Sequence, residues 1–180
     1  MSYRGVLAIA VMFALAAGLG GFSVWFHYQQ GKRSLEFWGT DAANLIRHAP
    51  RVELLELGAV ESVESGDAAD KSSSSLLVDQ TKIPILRQAD ISHVRGLVHA
   101  RHPLIIDPNF EWDLPPTAGP SLWSHALRFT DGDRSITLLF DFETRRLRRL
   151  DAVKEIQITP ALARAEREFL NKKWDEAERR

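Results

Sequence analysis

The chain has 180 residues, of which 44% are hydrophobic and 26% are charged, as is typical of a folded domain. Its 23 basic and 24 acidic side chains nearly cancel, which argues against a general affinity for nucleic acid or anionic lipid. The sequence has no cysteine, and this excludes disulfide bonds, thiolate nucleophiles and cysteine-bound zinc.

The N-terminal apolar segment, residues 5–26, is the strongest signal in the sequence. It contains no charged residue and no Asn or Gln. A helix of this length is roughly 33 Å long, and the hydrocarbon core of a bilayer is about 30 Å thick. The aromatic residues Trp25 and Phe26, with Arg33 just beyond them, are typical of the interfacial end of a retained span. We therefore predict one transmembrane helix at residues 5–26, after a short tail at residues 1–4.

A cleaved signal peptide is the alternative to a retained span. Ala14-Leu15-Ala16 has the small-x-small pattern that precedes a cleavage site. Against cleavage, the apolar run continues for ten residues beyond that point. Basic residues lie on both sides, Arg4 before the span and Lys32 after it, so the positive-inside rule barely discriminates between the two orientations. The sequence predicts a single-pass cell-membrane protein and leaves open on which side of the membrane the domain lies.

A connector at residues 27–39 leads to one domain at residues 40–158. Thr40 and Asp41 can cap a helix that continues to Pro50. Two strand candidates follow, at residues 52–60 and 76–86. The small polar residues at positions 61–75 predict a mobile loop between them.

The second half of the domain begins with a further predicted helix and ends with predicted strands. Asp90 and Ser92 can cap this helix, whose apolar stripe is Ile91, Val94, Leu97 and Val98. A proline-rich segment, residues 106–120, is incompatible with a regular helix. Asp131-Gly132 between two β-rich runs, residues 125–129 and 134–142, predicts a hairpin. One or two more strands are expected over residues 146–158.

A C-terminal amphipathic helix is predicted at residues 159–180. Thr159 is its cap and Pro160 its first residue, and its apolar face includes Leu162, Ala165, Phe169, Leu170 and Ala177. The order of elements predicts an α+β domain in which an antiparallel sheet is packed on one face by about three helices.

The histidine-rich stretch HVRGLVHARH, residues 93–102, raises the question of a metal site. On a helix His99 and His102 share a face, and Asp107 or Asp113 could complete a ligand set. The H-x-x-H spacing lacks the glutamate that serves as general base in H-E-x-x-H proteases. We interpret the stretch as a solvated helix face and keep a metal-dependent hydrolase as the alternative hypothesis.

Two other charged groups could carry chemistry or binding. Asp141 and Glu143 are two residues apart on a predicted strand, and we interpret them as the acidic partners of neighbouring arginines. The RRLRRL run supplies four arginines as candidate partner-binding residues, and Trp112 in the proline-rich segment is a fifth. The four arginines are Arg145, Arg146, Arg148 and Arg149.

Several stretches together resemble one group of proteins. These are LEFWGTDAANLIRHAPRVELLEL, DISHVRGLVHARHPLI, HALRF and TLLFDFETRRLRRL, which lie between residues 35 and 150. The pattern is similar to small single-pass membrane-anchored proteins of planctomycete-type bacteria. The resemblance includes no active-site motif, so it implies a recurrent domain and transfers neither an activity nor a functional residue.

The sequence therefore predicts a single-pass membrane protein that presents a compact, non-catalytic domain for protein–protein interaction or assembly at the membrane. Its expected partners are the lipid bilayer, through residues 5–26, and another membrane-associated protein. No nucleic acid, cofactor or catalytic residue is expected. The alternative hypothesis is a membrane-tethered metal-dependent hydrolase that uses His99, His102 and either Asp107 or Asp113.

Overall fold

The computed structural model describes residues 3–29, 31–59, 74–115 and 119–177. Of the loop predicted at residues 61–75, residues 61–73 lie outside the described residues. The helices are α1 (Tyr3–Gln29), α2 (Lys32–Trp38), α3 (Thr40–His48), α4 (Leu97–Arg101) and α5 (Pro160–Ala177). The strands are β1 (Arg51–Leu57), β2 (Ser75–Val78), β3 (Thr81–Asp90), β4 (His125–Asp131), β5 (Arg134–Asp141), β6 (Arg146–Arg149) and β7 (Glu155–Gln157).

The seven strands form one antiparallel sheet in the order β2-β3-β1-β4-β5-β6-β7. The prediction of an α+β fold with an antiparallel sheet is confirmed. The described part of the chain contains five helices where the sequence predicted the N-terminal helix and about three others. The additional one is α2, which lies in the segment predicted as a connector.

The sheet buries apolar side chains on both faces because neighbouring residues of a strand point to opposite sides. Leu54 belongs to a larger core that also contains buried residues of α2, α3, α4 and α5. Leu55 belongs to a smaller core on the other face, together with Val78, Ile83 and Leu139. The adjacent leucines that made the phase of β1 ambiguous in the sequence are therefore both buried.

The sheet curls towards the smaller core. Arg148 of β6 donates to both carboxylate oxygens of Asp79, in the turn between β2 and β3, at 2.8 and 2.9 Å. These two residues lie towards opposite ends of the sheet order, so their contact requires the sheet to bend. The guanidinium group also stacks over Trp123, 5.5 Å from the ring centre.

The segment predicted as one extended run at residues 76–86 is instead the hairpin β2–β3. Asp79 and Gln80 form its turn with φ values of 47° and 68°. Two successive positive φ values are typical of a type I′ turn, in which Asn-Gly and Asp-Gly are the usual pairs. Because Gln occupies the second position, the sequence lacks the usual hairpin signal.

The helix predicted from Asp90 onward is shorter than expected and begins only at Leu97. Gly96 has a φ of 94°, a left-handed conformation that separates α4 from the preceding turns. Asp90 and Ser92 form a local turn in which Oδ1 of Asp90 accepts from the backbone N–H of Ser92 at 2.8 Å. Of the predicted apolar stripe, Val98 is 73% exposed, whereas the other three residues are buried.

Two local predictions in the second half of the domain are confirmed. The hairpin predicted from Asp131-Gly132 joins β4 to β5; its two turn residues are Gly132 and Asp133, between the paired Asp131 and Arg134, and Gly132 has the positive φ that such a turn requires at its first position. Thr159 caps α5 through its Oγ1, which accepts from the backbone N–H of Leu162 at 3.3 Å. Residues 146–158 supply two strands, β6 and β7.

The N-terminal apolar segment is helical, since α1 covers Tyr3–Gln29. Over the residues that the structure describes, none of the helices combines the length and the apolar character needed to cross a bilayer. The transmembrane prediction for residues 5–26 stays a prediction.

The contact between Asp79 and Arg148 can be tested with Asp79→Asn, because Asn keeps the turn conformation and removes the charge. We expect the free energy of unfolding in urea to fall by about 1 kcal/mol, because the buried guanidinium group loses its carboxylate partner. The loss stays modest because Asp79 is largely exposed and Glu155 lies 3.6 Å from Arg148.

Asp131→Asn is the matched control. Asp131 flanks the turn between β4 and β5, and both side chains of its ion pair with Arg134 are exposed. Its effect should stay within about 0.5 kcal/mol. Equal losses in the two variants would contradict a specific role for the Asp79–Arg148 contact.

Candidate functional site

The four residues considered as metal ligands do not come together. His99 and His102 are exposed on α4 and on the 3₁₀ turn that follows it. Asp113 is exposed as well, and its carboxylate lies 3.6 Å from the guanidinium group of Arg33. The carboxylate of Asp107 is engaged by Arg33 and Ser34 at the start of α2. Within the described residues, no three His, Asp or Glu side chains form a group that could hold a metal ion.

Asp107 holds the start of α2 against the domain. Its carboxylate accepts hydrogen bonds from the backbone N–H of Arg33 at 3.0 Å, and from the backbone N–H and hydroxyl of Ser34, each at 2.7 Å. The first amides of a helix have no intrahelical partner, and a negative charge there is favourable. The residue considered as a metal ligand is therefore the N-terminal cap of a helix more than 70 positions earlier in the chain.

Trp38 fixes the other end of α2. Its side chain is 1% exposed, and its indole Nε1 donates to the backbone carbonyl of Leu104 at 2.8 Å. The backbone carbonyl of Trp38 accepts from Nη1 of Arg149 at 2.9 Å. We call Ser34, Trp38, Leu104, Asp107 and Arg149 the α2 junction, because together they connect the helix after α1 to the domain.

Aromatic side chains pack around the α2 junction. Phe37 and Trp38 meet edge to face with ring centres 4.6 Å apart, and Phe110 lies 5.2 Å from Trp112. Trp112 also approaches Phe37, at 6.1 Å, and its Nε1 donates to the backbone carbonyl of Asp107 at 2.9 Å. Trp112, a predicted partner-binding residue, is thus partly buried and engaged in stabilising this cluster.

Two of the four predicted partner-binding arginines are buried. The side chains of Arg146 and Arg148 are each 4% exposed. Arg146 donates to the backbone carbonyls of Gly119 and Pro120 at 3.0 and 2.7 Å, and its guanidinium group lies 3.4 Å from the carboxylate of Asp141. Both guanidinium groups tie loops to the sheet and are not surface cations.

The other two arginines are partly exposed and also paired. Nη1 of Arg145 donates to Glu111 at 3.0 Å, and Arg149 pairs with Asp151 in addition to its bond to Trp38. In the RRLRRL run, therefore, every arginine has a carboxylate partner. That these residues bind a partner stays a prediction.

Asp141 organises the turn after β5. Its buried carboxylate accepts from the hydroxyl and N–H of Thr144 at 2.6 and 3.0 Å, and from the N–H of Leu122 at 2.9 Å. Burial by itself raises the pKa of Asp141, but the bonds from Thr144 and Leu122, together with Arg146, hold the pKa below its ordinary value. Glu143 does not lie on the same strand face as Asp141. It lies in the turn after β5 and pairs with Arg167.

Glu166 of α5 is a buried carboxyl group that the sequence analysis missed. It is 2% exposed, and its Oε2 has no hydrogen-bond partner among the described residues. Burial raises its pKa to about 8. The spacing of apolar residues in the sequence could have indicated that Glu166 is buried. Residues at intervals of four lie on one face of a helix, and the residues at this spacing are all buried: Leu162, Glu166, Leu170 and Trp174. Ala165, predicted on the buried face, is exposed.

Comparison of the chain with protein-family models, with curated proteins and with solved structures gave no match. The resemblance to planctomycete-type membrane-anchored proteins is untested by these comparisons.

The raised pKa of Glu166 predicts a pH-dependent stability. Between pH 4.5 and about 8 the folded chain keeps a proton that the unfolded chain has released, so stability falls as the pH rises. The slope should approach about 1.4 kcal/mol per pH unit. Glu166→Gln should remove this loss, leaving stability near that of the unchanged chain at pH 5 and above it at pH 8.

Urea unfolding at pH 5 and pH 8 measures this difference. Glu168→Gln is the control, because Glu168 lies on the same helix and is exposed. The buried, protonated state of Glu166 is disproved if both variants show the same pH dependence as the unchanged chain.

Proposed function

We propose that the protein is a single-pass membrane protein that presents a compact, non-catalytic α+β domain for protein–protein interaction or assembly at the membrane. The observation that carries this proposal is the α2 junction. Helix α1 ends at Gln29 and α2 begins at Lys32, with only two residues between them. Because Asp107 and Trp38 fix α2 to the domain, a membrane that holds α1 also holds the domain close to its surface.

The side chains of α1 support the membrane part of the proposal. Large apolar residues such as Met12, Phe13 and Leu19 are each at least 70% exposed on this helix. Exposed apolar surface costs roughly 25 cal/mol per Å² in water, and a contiguous apolar stretch of this size is typical of a membrane or protein contact. Insertion of residues 5–26 into a bilayer would remove that cost, and the charge-free sequence permits it.

The charged groups of the domain support a binding role more than a catalytic one. Asp107 and Asp141 each accept at least three hydrogen bonds that hold the fold together. A metal site that recruited Asp107 would have to give up the cap of α2. The hydrolase hypothesis therefore conflicts with the role that this residue already has.

The exposed side of α4 is the surface that we favour for the partner. We call Arg95, Val98, His99 and His102, which lie on α4 or directly beside it in the chain, the α4 face, and all four side chains are exposed. Val98 adds an apolar side chain to three cationic or polar ones, and none of the four side chains has a hydrogen bond or ion pair to the described part of the domain. This combination suits a protein partner better than the RRLRRL run, whose arginines are already paired.

Membrane anchoring predicts that charges within α1 release the protein from vesicles. Leu15→Arg/Leu19→Arg should abolish co-flotation of the full chain with phosphatidylcholine vesicles, because each charge at mid-helix costs about 2.5–3.5 kcal/mol of insertion free energy. Leu77→Arg/Leu86→Arg, at two exposed leucines outside α1, should float as the unchanged chain does. Flotation of all three proteins would contradict anchoring through this segment.

The α4 face can be tested by crosslinking, because the chain has no cysteine to interfere. Val98→Cys, labelled with a photoactivatable thiol reagent in native membranes, should give one discrete adduct of higher mass. Val153→Cys is the matched control, since Val153 is also a largely exposed valine, in a different segment of the chain. Equal adducts from both positions, or none from Val98→Cys, would disprove the α4 face as the partner surface.

A further inference from the structure

A cleft of about 260 Å³ lies between α2 and α3, close to the end of α1. Its floor is apolar, since Ala43 and Ile105 are buried there, and Leu35 stands half exposed at its edge. The residues that line it are Gly31, Lys32, Leu35, Ala43, Asn44, Arg47 and Ile105. A volume of this size accommodates a small headgroup such as a phosphate ester.

The charge of the cleft is entirely positive. Among the described residues that line it, Lys32 and Arg47 are the charged ones, and both are exposed. Neither has a hydrogen bond or ion pair to another residue of the described part of the chain, in contrast to the arginines of the RRLRRL run. Asn44, one helical turn before Arg47 on α3, adds an amide donor. Arg and Lys together with an amide are the side chains that proteins use to bind phosphate oxygens.

The side chains, and not the start of α2, supply this cationic character. The backbone N–H groups of Arg33 and Ser34 already donate to Asp107 and are not available to a ligand. The half-exposed Leu35 beside the two cations gives the cleft an amphipathic edge. A ligand that joins an anionic group to an apolar chain matches this edge better than a free anion does.

We propose that the cleft binds the phosphate of an anionic phospholipid in the bilayer that α1 enters. Gly31 lines the cleft and lies two residues beyond the end of α1, so the cleft is near the point at which the chain would leave the membrane. Lys32, Asn44 and Arg47 hold the phosphate, and Leu35 contacts the glycerol and acyl region. This inference rests on the proposed membrane anchoring.

The test uses the full chain in nanodiscs of phosphatidylcholine alone or with one quarter phosphatidylglycerol. Bound lipid stabilises the folded domain, so the Tm of the unchanged chain should be about 2–4 °C higher in the discs with phosphatidylglycerol. Lys32→Gln/Arg47→Gln should lose this difference. Its Tm in pure phosphatidylcholine should equal that of the unchanged chain, and Arg47→Gln alone serves if the double variant does not fold.

Arg164→Gln/Lys172→Gln is the matched control, because it removes one exposed Arg and one exposed Lys from α5. It should keep the Tm difference. A difference that persists in Lys32→Gln/Arg47→Gln, or that disappears equally in the control, would overturn the cleft as the lipid site.

Two further arms separate the possible failures. Inorganic phosphate added to phosphatidylcholine discs should not raise the Tm, and an equal rise would identify a soluble phosphate as the occupant and overturn the lipid assignment. Flotation of the same samples reports on anchoring independently. A chain that floats normally but shows no Tm difference disproves the cleft alone, whereas a chain that does not float disproves the anchoring from which the inference starts.

Discussion

The attachment of the N-terminal helices to the domain depends on the hydrogen bonds that the start of α2 donates to the carboxylate of Asp107. An isolated helix of seven residues is unstable in water, because its few hydrogen bonds do not offset the free-energy cost of nucleation. The three hydrogen bonds to Asp107 and the burial of Trp38 supply what α2 lacks by itself. Without them the segment would be the connector that its sequence suggests.

The buried arginines constrain the remainder of the fold in a similar way. A guanidinium group removed from water is costly unless it finds partners, so Arg146 and Arg148 need acceptors on neighbouring loops. The carbonyls of Gly119 and Pro120 accept hydrogen bonds from Arg146, and the carboxylate of Asp79 accepts from both terminal nitrogens of Arg148. These contacts therefore hold the backbone at Gly119 and Pro120, and the turn that contains Asp79, against the sheet.

The elements that could be predicted from sequence are those with local signals. The β4–β5 hairpin around Gly132 and the Thr159 cap follow from two to four adjacent residues, and both are observed. The functions of Asp107 and Arg148 could not be predicted, because their partners lie about 70 positions away. Glu166 is an intermediate case, since its four-residue spacing was visible but its charge argued against burial.

The distribution of charge, rather than its total, decides what the surface can bind. The nearly neutral composition argues against a general affinity for anionic lipid, and this stays a prediction for the domain as a whole. Because the arginines of the RRLRRL run are paired with carboxylates, they add little to the external field. Lys32 and Arg47 have no such partners in the described part of the chain. Under the lipid proposal, these two cations and the apolar floor beside them would give the cleft an affinity for an anionic headgroup that the total charge of the chain does not reveal.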